Sequence, residues 1–354
     1  MKLMSIMKKI KFRLQWEICK KFNKQKSKSK KYIKWGIVGL GNMADLYSKV
    51  LCLDEMSVIV SAASRDISKA RLFAKKHNIA RYYGSYNDFI ENEKNLVDFV
   101  YIATPSETHF DYVKMFLENK FNVLCEKPMV YSKHQFEYLD KLAKSNDVLL
   151  IEAMWSNFLP VVNSALRWIN SDFIGATKLI RVNFYKTVDY NNTDSSYKSK
   201  NLLGVLNDFA IYAFSMVSLF SKGMIISHST IQVDLLDLGI SDISCHLNFE
   251  NMNACIDIST RFKGDSTLAI YGEKGYIVFS SPFNRTSEIK LYSSDNKFLE
   301  KVVYKYKYSG YEYQVKFINS LLLDNNSKSY NETKESTIRT YSIIDIIKDV
   351  DNAE

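Results

Sequence analysis

From Trp35 onward, apolar residues gather into short runs at 35–40, 58–64, 97–104, 121–125 and 148–152, separated by stretches of helix length. In the intervening segments 67–77, 109–120 and 133–144, apolar residues recur at helical spacing with Lys and Glu between them. Buried strands alternating with amphipathic helices predict βαβ units and a parallel sheet. After residue 157 the pattern changes. One helical stretch, 159–170, precedes runs of period two such as Ile180, Val182, Phe184 and Ile256, Ile258, as half-buried antiparallel strands require. The Asn-, Ser- and Tyr-rich segment 188–201 predicts a loop leading into a helix over 203–220, and two further helices are expected around 315–323 and 338–347. No internal repeat is visible. The expected class is α/β, with an N-terminal α/β domain over 34–156 and a C-terminal α+β domain on a mostly antiparallel sheet over 157–354.

A chain of 354 residues with 46% hydrophobic content can fill two cores. No apolar run approaches the roughly 20 residues needed to span a bilayer. The five cysteines are odd in number and widely spaced, without C-x-x-C pairs, so they read as small hydrophobes of a reducing, cytoplasmic protein with no metal site. Of the formal net charge of +9, residues 1–34 carry +12, so the other 320 residues carry −3. This argues against a nucleic-acid surface on the body of the protein and isolates residues 1–33 as a basic extension. In that extension Ile10, Phe12, Leu14, Trp16 and Ile18 alternate with polar residues, while Leu3, Met7, Ile10, Leu14 and Ile18 form a helical stripe, so periodicity does not choose between them. The segment reads either as a disordered solubilising tail or as an attachment to an anionic membrane surface at the inner face of a membrane. Lysines interrupt every candidate signal-peptide core.

The first apolar run ends in Gly39-Leu40-Gly41-Asn42-Met43-Ala44, a G-x-G-x-x-A pattern directly before a helix-forming stretch. Gly39 permits the tight turn, Gly41 lets the backbone approach a pyrophosphate, and Ala44 lets helix and strand pack closely, so a dinucleotide is the expected cofactor of a Rossmann domain. An NAD-selecting acid is expected about 20 residues on, at the end of the second strand. That strand ends instead in Ser64-Arg65, a hydroxyl and a guanidinium suited to a 2′-phosphate, so NADP is expected over NAD. Asp66 reads as the cap of the next helix.

Two more segments end at the carboxyl edges of predicted parallel strands, where open α/β sheets bind ligands: Ala103-Thr104-Pro105-Ser106-Glu107-Thr108-His109 and Cys125-Glu126-Lys127-Pro128. With the glycine loop, in this order and spacing, they resemble the glucose-fructose oxidoreductase/inositol dehydrogenase (Gfo/Idh/MocA) family over about residues 34–354. Glu152-Ala153-Met154-Trp155 and Asp208-Phe209-Ala210-Ile211-Tyr212 resemble its branch of dimeric dihydrodiol dehydrogenases and NADP-dependent xylose dehydrogenases. The resemblance implies a homo-oligomeric dehydrogenase or reductase acting on a sugar, a sugar derivative or a polyol. It also implies that Lys127 is the family's E-K-P lysine, and that Asp208 and Tyr212 are the acid and tyrosine of its D-x-G-x-Y motif. Cofactor contacts are expected from Gly39, Gly41, Asn42, Met43, Ala44, Ser64, Arg65, Thr104, Pro105, His109, Glu126 and Lys127. The chemistry agrees: oxidising a hydroxyl requires a base for its proton and an acceptor for its hydride. Tyr212 can be that base if an ammonium such as Lys127 stabilises its phenolate, and Asp208, four residues before it on one helix face, can orient the lysine or a substrate hydroxyl.

His109 reads either as a nicotinamide-pocket residue or as a helix cap, and Trp155 and Phe158 either as a substrate wall or as core. Three departures bear on the substrate: Asn157 stands where the branch often has arginine, Ala210 replaces the motif's glycine, and the glycine-rich run before the acid reads Leu203-Gly204-Val205-Leu206-Asn207. Two other functions use the same fold: a catalytically silent nucleotide- or sugar-binding regulator, and an enzyme that uses bound nicotinamide transiently for epimerisation or glycoside cleavage.

Overall fold

The computed structural model describes Trp16, Glu17 and residues 32–188, 207–235, 239–324 and 326–349. Most of the basic extension, the expected loop from residue 189 and the start of the helix expected at 203 lie outside the described residues. Along the chain run β1 (Ile33–Val38), α1 (Asn42–Leu53), β2 (Ser57–Ala63), α2 (Ile67–His77), β3 (Arg81–Tyr83), α3 (Tyr86–Glu93), β4 (Phe99–Ile102), α4 (His109–Glu118), β5 (Val123–Cys125), α5 (Lys133–Ser145), β6 (Leu150–Glu152), α6 (Pro160–Asn170) and β7 (Thr177–Tyr185). Then follow α7 (Asn207–Phe220), β8 (Ile225–Leu235), β9 (Gly239–Phe249), β10 (Asn253–Ser259), β11 (Leu268–Gly272), β12 (Gly275–Phe279), β13 (Glu288–Ser293), β14 (Phe298–Val303), α8 (Tyr311–Leu323) and α9 (Ser327–Asp349).

The chain divides into two compact units. The first holds a six-stranded sheet in the order β3-β2-β1-β4-β5-β6. All its pairings are parallel, which is the doubly wound dinucleotide-binding topology. Helices cover both faces of such a sheet, so its inner strands read as unbroken apolar runs, and every residue of β2 is buried. Local chemistry sets the helix ends. The Asp66 carboxylate accepts from the Ser68 and Lys69 amides at the start of α2, as the sequence anticipates, and Asn78 closes α2 in the left-handed conformation. The short β3 and α3, between the second and third predicted strands, are tied together by buried Glu93, which receives Arg81 Nε and a second guanidinium nitrogen at 2.6 and 2.7 Å.

Residues 307–330, which the sequence pattern assigns to the second domain, belong to the first unit. Val315, Ile318 and Leu321 of α8 join the core formed by Trp35, Tyr47, Leu51 and Tyr101, and the Asn319 amide donates to Asp54 at 2.9 Å. Trp16 of the basic extension is also buried on this unit. Its ring lies 5.5 Å from the His77 imidazole at the end of α2, and the Lys49 ammonium of α1 sits 5.1 Å from its centre. Trp16, one of the extension's aromatics, is thus already covered by protein.

The second unit is built on an eight-stranded sheet in the order β14-β13-β12-β11-β7-β10-β9-β8. It is antiparallel except where β7 and β10 run parallel. Ile180, Val182 and Phe184 of β7 and Ile256 and Ile258 of β10 face one core, where α7 packs on both strands. Among the described residues, no helix is long and apolar enough to cross a membrane.

Candidate active site

In the first unit the strand-to-helix turn after β1 forms a cradle. Gly39 has φ +81°, and a Cβ on it would lie 2.6 Å from the Thr104 amide nitrogen, so only glycine lets this loop lie against the loop after β4. Around Gly41 the opposite holds: a Cβ there would meet nothing within 4 Å. Gly41 is also the N-cap of α1 and supplies no side-chain bond to the first helical amides. Ala44 is fully buried behind the turn, whereas Asn42 is exposed and Met43 half-buried. Open space over unpaired amides at the positive end of a helix fits a dinucleotide pyrophosphate.

At the carboxyl end of β2, the Ser64 hydroxyl accepts from the Asp66 amide at 3.3 Å. Arg65 is exposed and makes no hydrogen bond or ion pair among the described residues. It lies near Tyr86 of α3, whose pKa is raised by burial and partly offset by this guanidinium. An uncommitted cation therefore stands where an acid would select a free ribose 2′-hydroxyl.

The loops after β4 and β5 are joined by His109. Its ring is buried, with Nδ1 2.8 Å from the Pro128 carbonyl oxygen and Nε2 2.8 Å from that of Thr104. Burial pushes its pKa below the ordinary histidine value against the pull of the two carbonyls, so the neutral ring donates to one loop at a time. The Thr108 hydroxyl donates to Thr104 Oγ1 at 2.9 Å, and Pro105, between them, is exposed. In the E-K-P segment, the Tyr101 hydroxyl donates to the buried Glu126 carboxylate, and the Met129 amide donates to Glu152 at 2.9 Å. Burial first, then Glu126, holds Tyr101 well above the ordinary phenol pKa, which keeps it a donor. Lys127 follows, half-buried, and its peptide bond to Pro128 is cis. Tyr101, the anchor of Glu126, carried no signal in the sequence beyond an apolar strand position.

In the second unit, Asp208 and Tyr212 lie one turn apart on α7, with Asp208 half-buried and Tyr212 buried. The motif's glycine position, Ala210, is fully buried, so a methyl group fits there. Trp155 donates from its indole nitrogen to Tyr212 Oη at 3.2 Å, and Phe184 meets the Tyr212 ring edge-on at 6.3 Å. Asn157 is committed to Ser215: its amide donates at 2.8 Å, and the Ser215 hydroxyl lies 3.1 Å from its oxygen. Lys186 stands 3.9 Å from the centre of the Phe209 ring. Among the described residues, no group of three or more His, Cys, Asp or Glu side chains gathers to hold a metal.

A parallel sheet in this strand order, with a glycine cradle at its first crossover, is a dinucleotide-binding Rossmann domain, and the second unit carries a largely antiparallel sheet. Residues 33–154 match the GFO_IDH_MocA family model, described as an oxidoreductase family with an NAD-binding Rossmann fold. It is 29% identical over 271 residues to the trans-1,2-dihydrobenzene-1,2-diol dehydrogenase of Xenopus tropicalis, covering 75% of this chain and 80% of that one. The enzyme of the same name from Sus scrofa is 28% identical over 254 residues, 71% and 75% of the two chains. Among solved structures, levoglucosan dehydrogenase with NADH and levoglucosan superposes with a TM-score of 0.77 at 16% identity, over 90% of this chain and 98% of that one. KijD10, a 3-ketoreductase from Actinomadura kijaniata, with NADP and TDP-benzene, gives 0.74 at 17% identity over 90% and 97%. At such identities these structures establish the fold alone.

Proposed function

We propose that the chain is an NADP-dependent dehydrogenase or reductase that interconverts a hydroxyl and a carbonyl on a sugar, a sugar derivative or a polyol. The observation that carries the cofactor choice is Arg65, an exposed guanidinium with no ion pair among the described residues, beside Ser64 at the end of β2. Gly39, Gly41, Asn42, Met43 and Ala44 would hold the pyrophosphate, and Ser64 and Arg65 the 2′-phosphate. Thr104, Pro105, Glu126 and Lys127 would border the nicotinamide, with His109 fixing their two loops. When bound, the nicotinamide supplies the hydride acceptor or donor. Tyr212 takes the hydroxyl proton in oxidation and returns it in reduction, Lys127 favours the phenolate, and Asp208 orients the substrate hydroxyl or the lysine. The substrate class is supported by the relatives, which are named for diols and sugars.

The protein is further proposed to be a cytoplasmic homo-oligomer, with Phe298, Leu299 and Val303 leaving apolar surface on β14. The basic extension is read as packed on the first unit through Trp16. Salt-sensitive co-sedimentation with anionic vesicles would overturn that reading. The function itself is tested by following reduced-nicotinamide absorbance while sugars and polyols are screened with NADP and then NAD. Turnover with NADP on at least one polyhydroxylated substrate is expected. Faster turnover with NAD would contradict the cofactor assignment.

A further inference from the structure

Trp155 is a buried tryptophan, and a buried indole N–H needs an acceptor, so some partner is expected on packing grounds alone. What matters is which partner it has. The bond runs to Tyr212 Oη at 3.2 Å, between two buried side chains 57 residues apart in sequence. An indole nitrogen can donate and cannot accept, so the direction of this bond is settled without locating hydrogens: Tyr212 Oη is the acceptor. The phenol's own proton is therefore not spent on Trp155.

We propose that Trp155 is a positioning residue for proton transfer: its indole N–H holds the Tyr212 oxygen and favours the phenolate. The inference rests on the reading of Tyr212 as the acid–base group. In reduction the Tyr212 Oη–H bond would break and its proton bond to the substrate oxygen, the hydride on the carbonyl carbon being what a bound reduced nicotinamide would supply, and the phenolate would regain a proton from solvent. Oxidation reverses each transfer. A donor fixed on the phenol oxygen stabilises the charged form in both directions, and does so more strongly in a buried setting than in water. Phe184, edge-on to the Tyr212 ring at 88°, limits how far that ring can swing away from the indole. Three elements thus fix one phenol: α7 carries it, the turn at Trp155–Phe158 binds its oxygen, and β7 packs its ring.

The test compares pH profiles of kcat/KM for oxidation in the parent protein, Trp155→Phe and Tyr212→Phe. Trp155→Phe keeps an aromatic ring and removes only the donor. The limb on which the base is generated is expected to move up by about one pH unit, costing roughly tenfold in rate below that limb, while the high-pH plateau stays within about threefold of the parent. A purely structural role would lower stability or the plateau and leave the limb in place, and that result would overturn the inference. Tyr212→Phe separates the two readings. If it retains parent activity, the acid–base assignment itself fails; if it is inactive while Trp155→Phe keeps the parental limb, only the role of Trp155 fails. Should Trp155→Phe not fold, the four tryptophans of the chain allow a second measurement by indole 15N–1H NMR. In Tyr212→Phe, one indole proton signal is expected to move upfield on losing its acceptor. Four unmoved signals would overturn the proposal.

Discussion

His109 is held to Pro128, its Nδ1 2.8 Å from the proline carbonyl oxygen, while its other nitrogen faces Thr104. One imidazole thereby fixes the loop after β4 to the loop that carries Lys127. His109→Ala is expected to lower stability by about 1–3 kcal/mol, because the ring's one N–H is lost to the two loop carbonyls and a buried side chain is removed. It should also weaken NADP binding several-fold. Thermal unfolding and isothermal titration check this, and unchanged cofactor affinity would show that the loops hold their positions without the clip.

Arg65→Ala is expected to weaken NADP binding by about ten- to a hundredfold, the range for losing a charge-assisted contact to a phosphate, and to leave NAD binding nearly unchanged. Fluorescence titration with both cofactors measures the ratio. An equal loss for both would remove Arg65 from 2′-phosphate recognition.

His77 provides a pH-dependent test of the first unit. Burial, outweighing its bond to Asp45, pushes its pKa down to about 4. The unfolded chain takes up the proton near the ordinary value of 6.5 and the folded chain only near 4. Stability is therefore complete above about pH 6.5 and is lost as pH falls toward 4, by an amount on the order of 3 kcal/mol. Urea midpoints between pH 7.5 and 4.5 should show this slope, and His77→Gln should remove it.

Trp16 covers the same histidine. Trp16→Ala is expected to destabilise the protein by about 2 kcal/mol or more and to raise the pKa of His77 toward its ordinary value, flattening the slope. A variant with parental stability would return the extension to the status of a free tail.

The sequence was most legible where local physics and fold agree. The segment 67–77 matches α2 to the residue because Asp66 caps it and its apolar stripe faces a sheet. The strands leading into the glycine loop, Thr104 and the E-K-P segment are also legible, since buried parallel strands are unbroken apolar runs, although β1 and β4 end at Val38 and Ile102, two residues before the apolar runs do. The three-residue edge strand β3 and the eight-residue α3 were too short to impose a period. In the second unit, alternation was blurred on β8, where Ile226 and Ile231 are exposed, and the parallel pairing of β7 with β10 has no local signature. The return of residues 307–330 to the first unit and the bonds Trp155–Tyr212 and Asn157–Ser215 are likewise long-range relationships that no window of sequence contains. The Asn157 amide is engaged by Ser215 of α7.

Tyr212→Phe and Lys127→Ala are each expected to lower turnover by about two orders of magnitude or more while the fold survives. If both serve one proton transfer, the double variant should be less impaired than the product of the single losses. Full multiplication would separate the two residues.

Isotope labelling separates net hydride transfer from a transient use of the nicotinamide. With NADPH deuterated at the transferable position and a carbonyl substrate from the screen, one deuterium is expected on the new carbinol carbon and one equivalent of NADP is expected to form. Substrate conversion with the deuterium retained in the cofactor, and no net cofactor oxidation, would contradict net hydride transfer and would assign the nicotinamide a transient role.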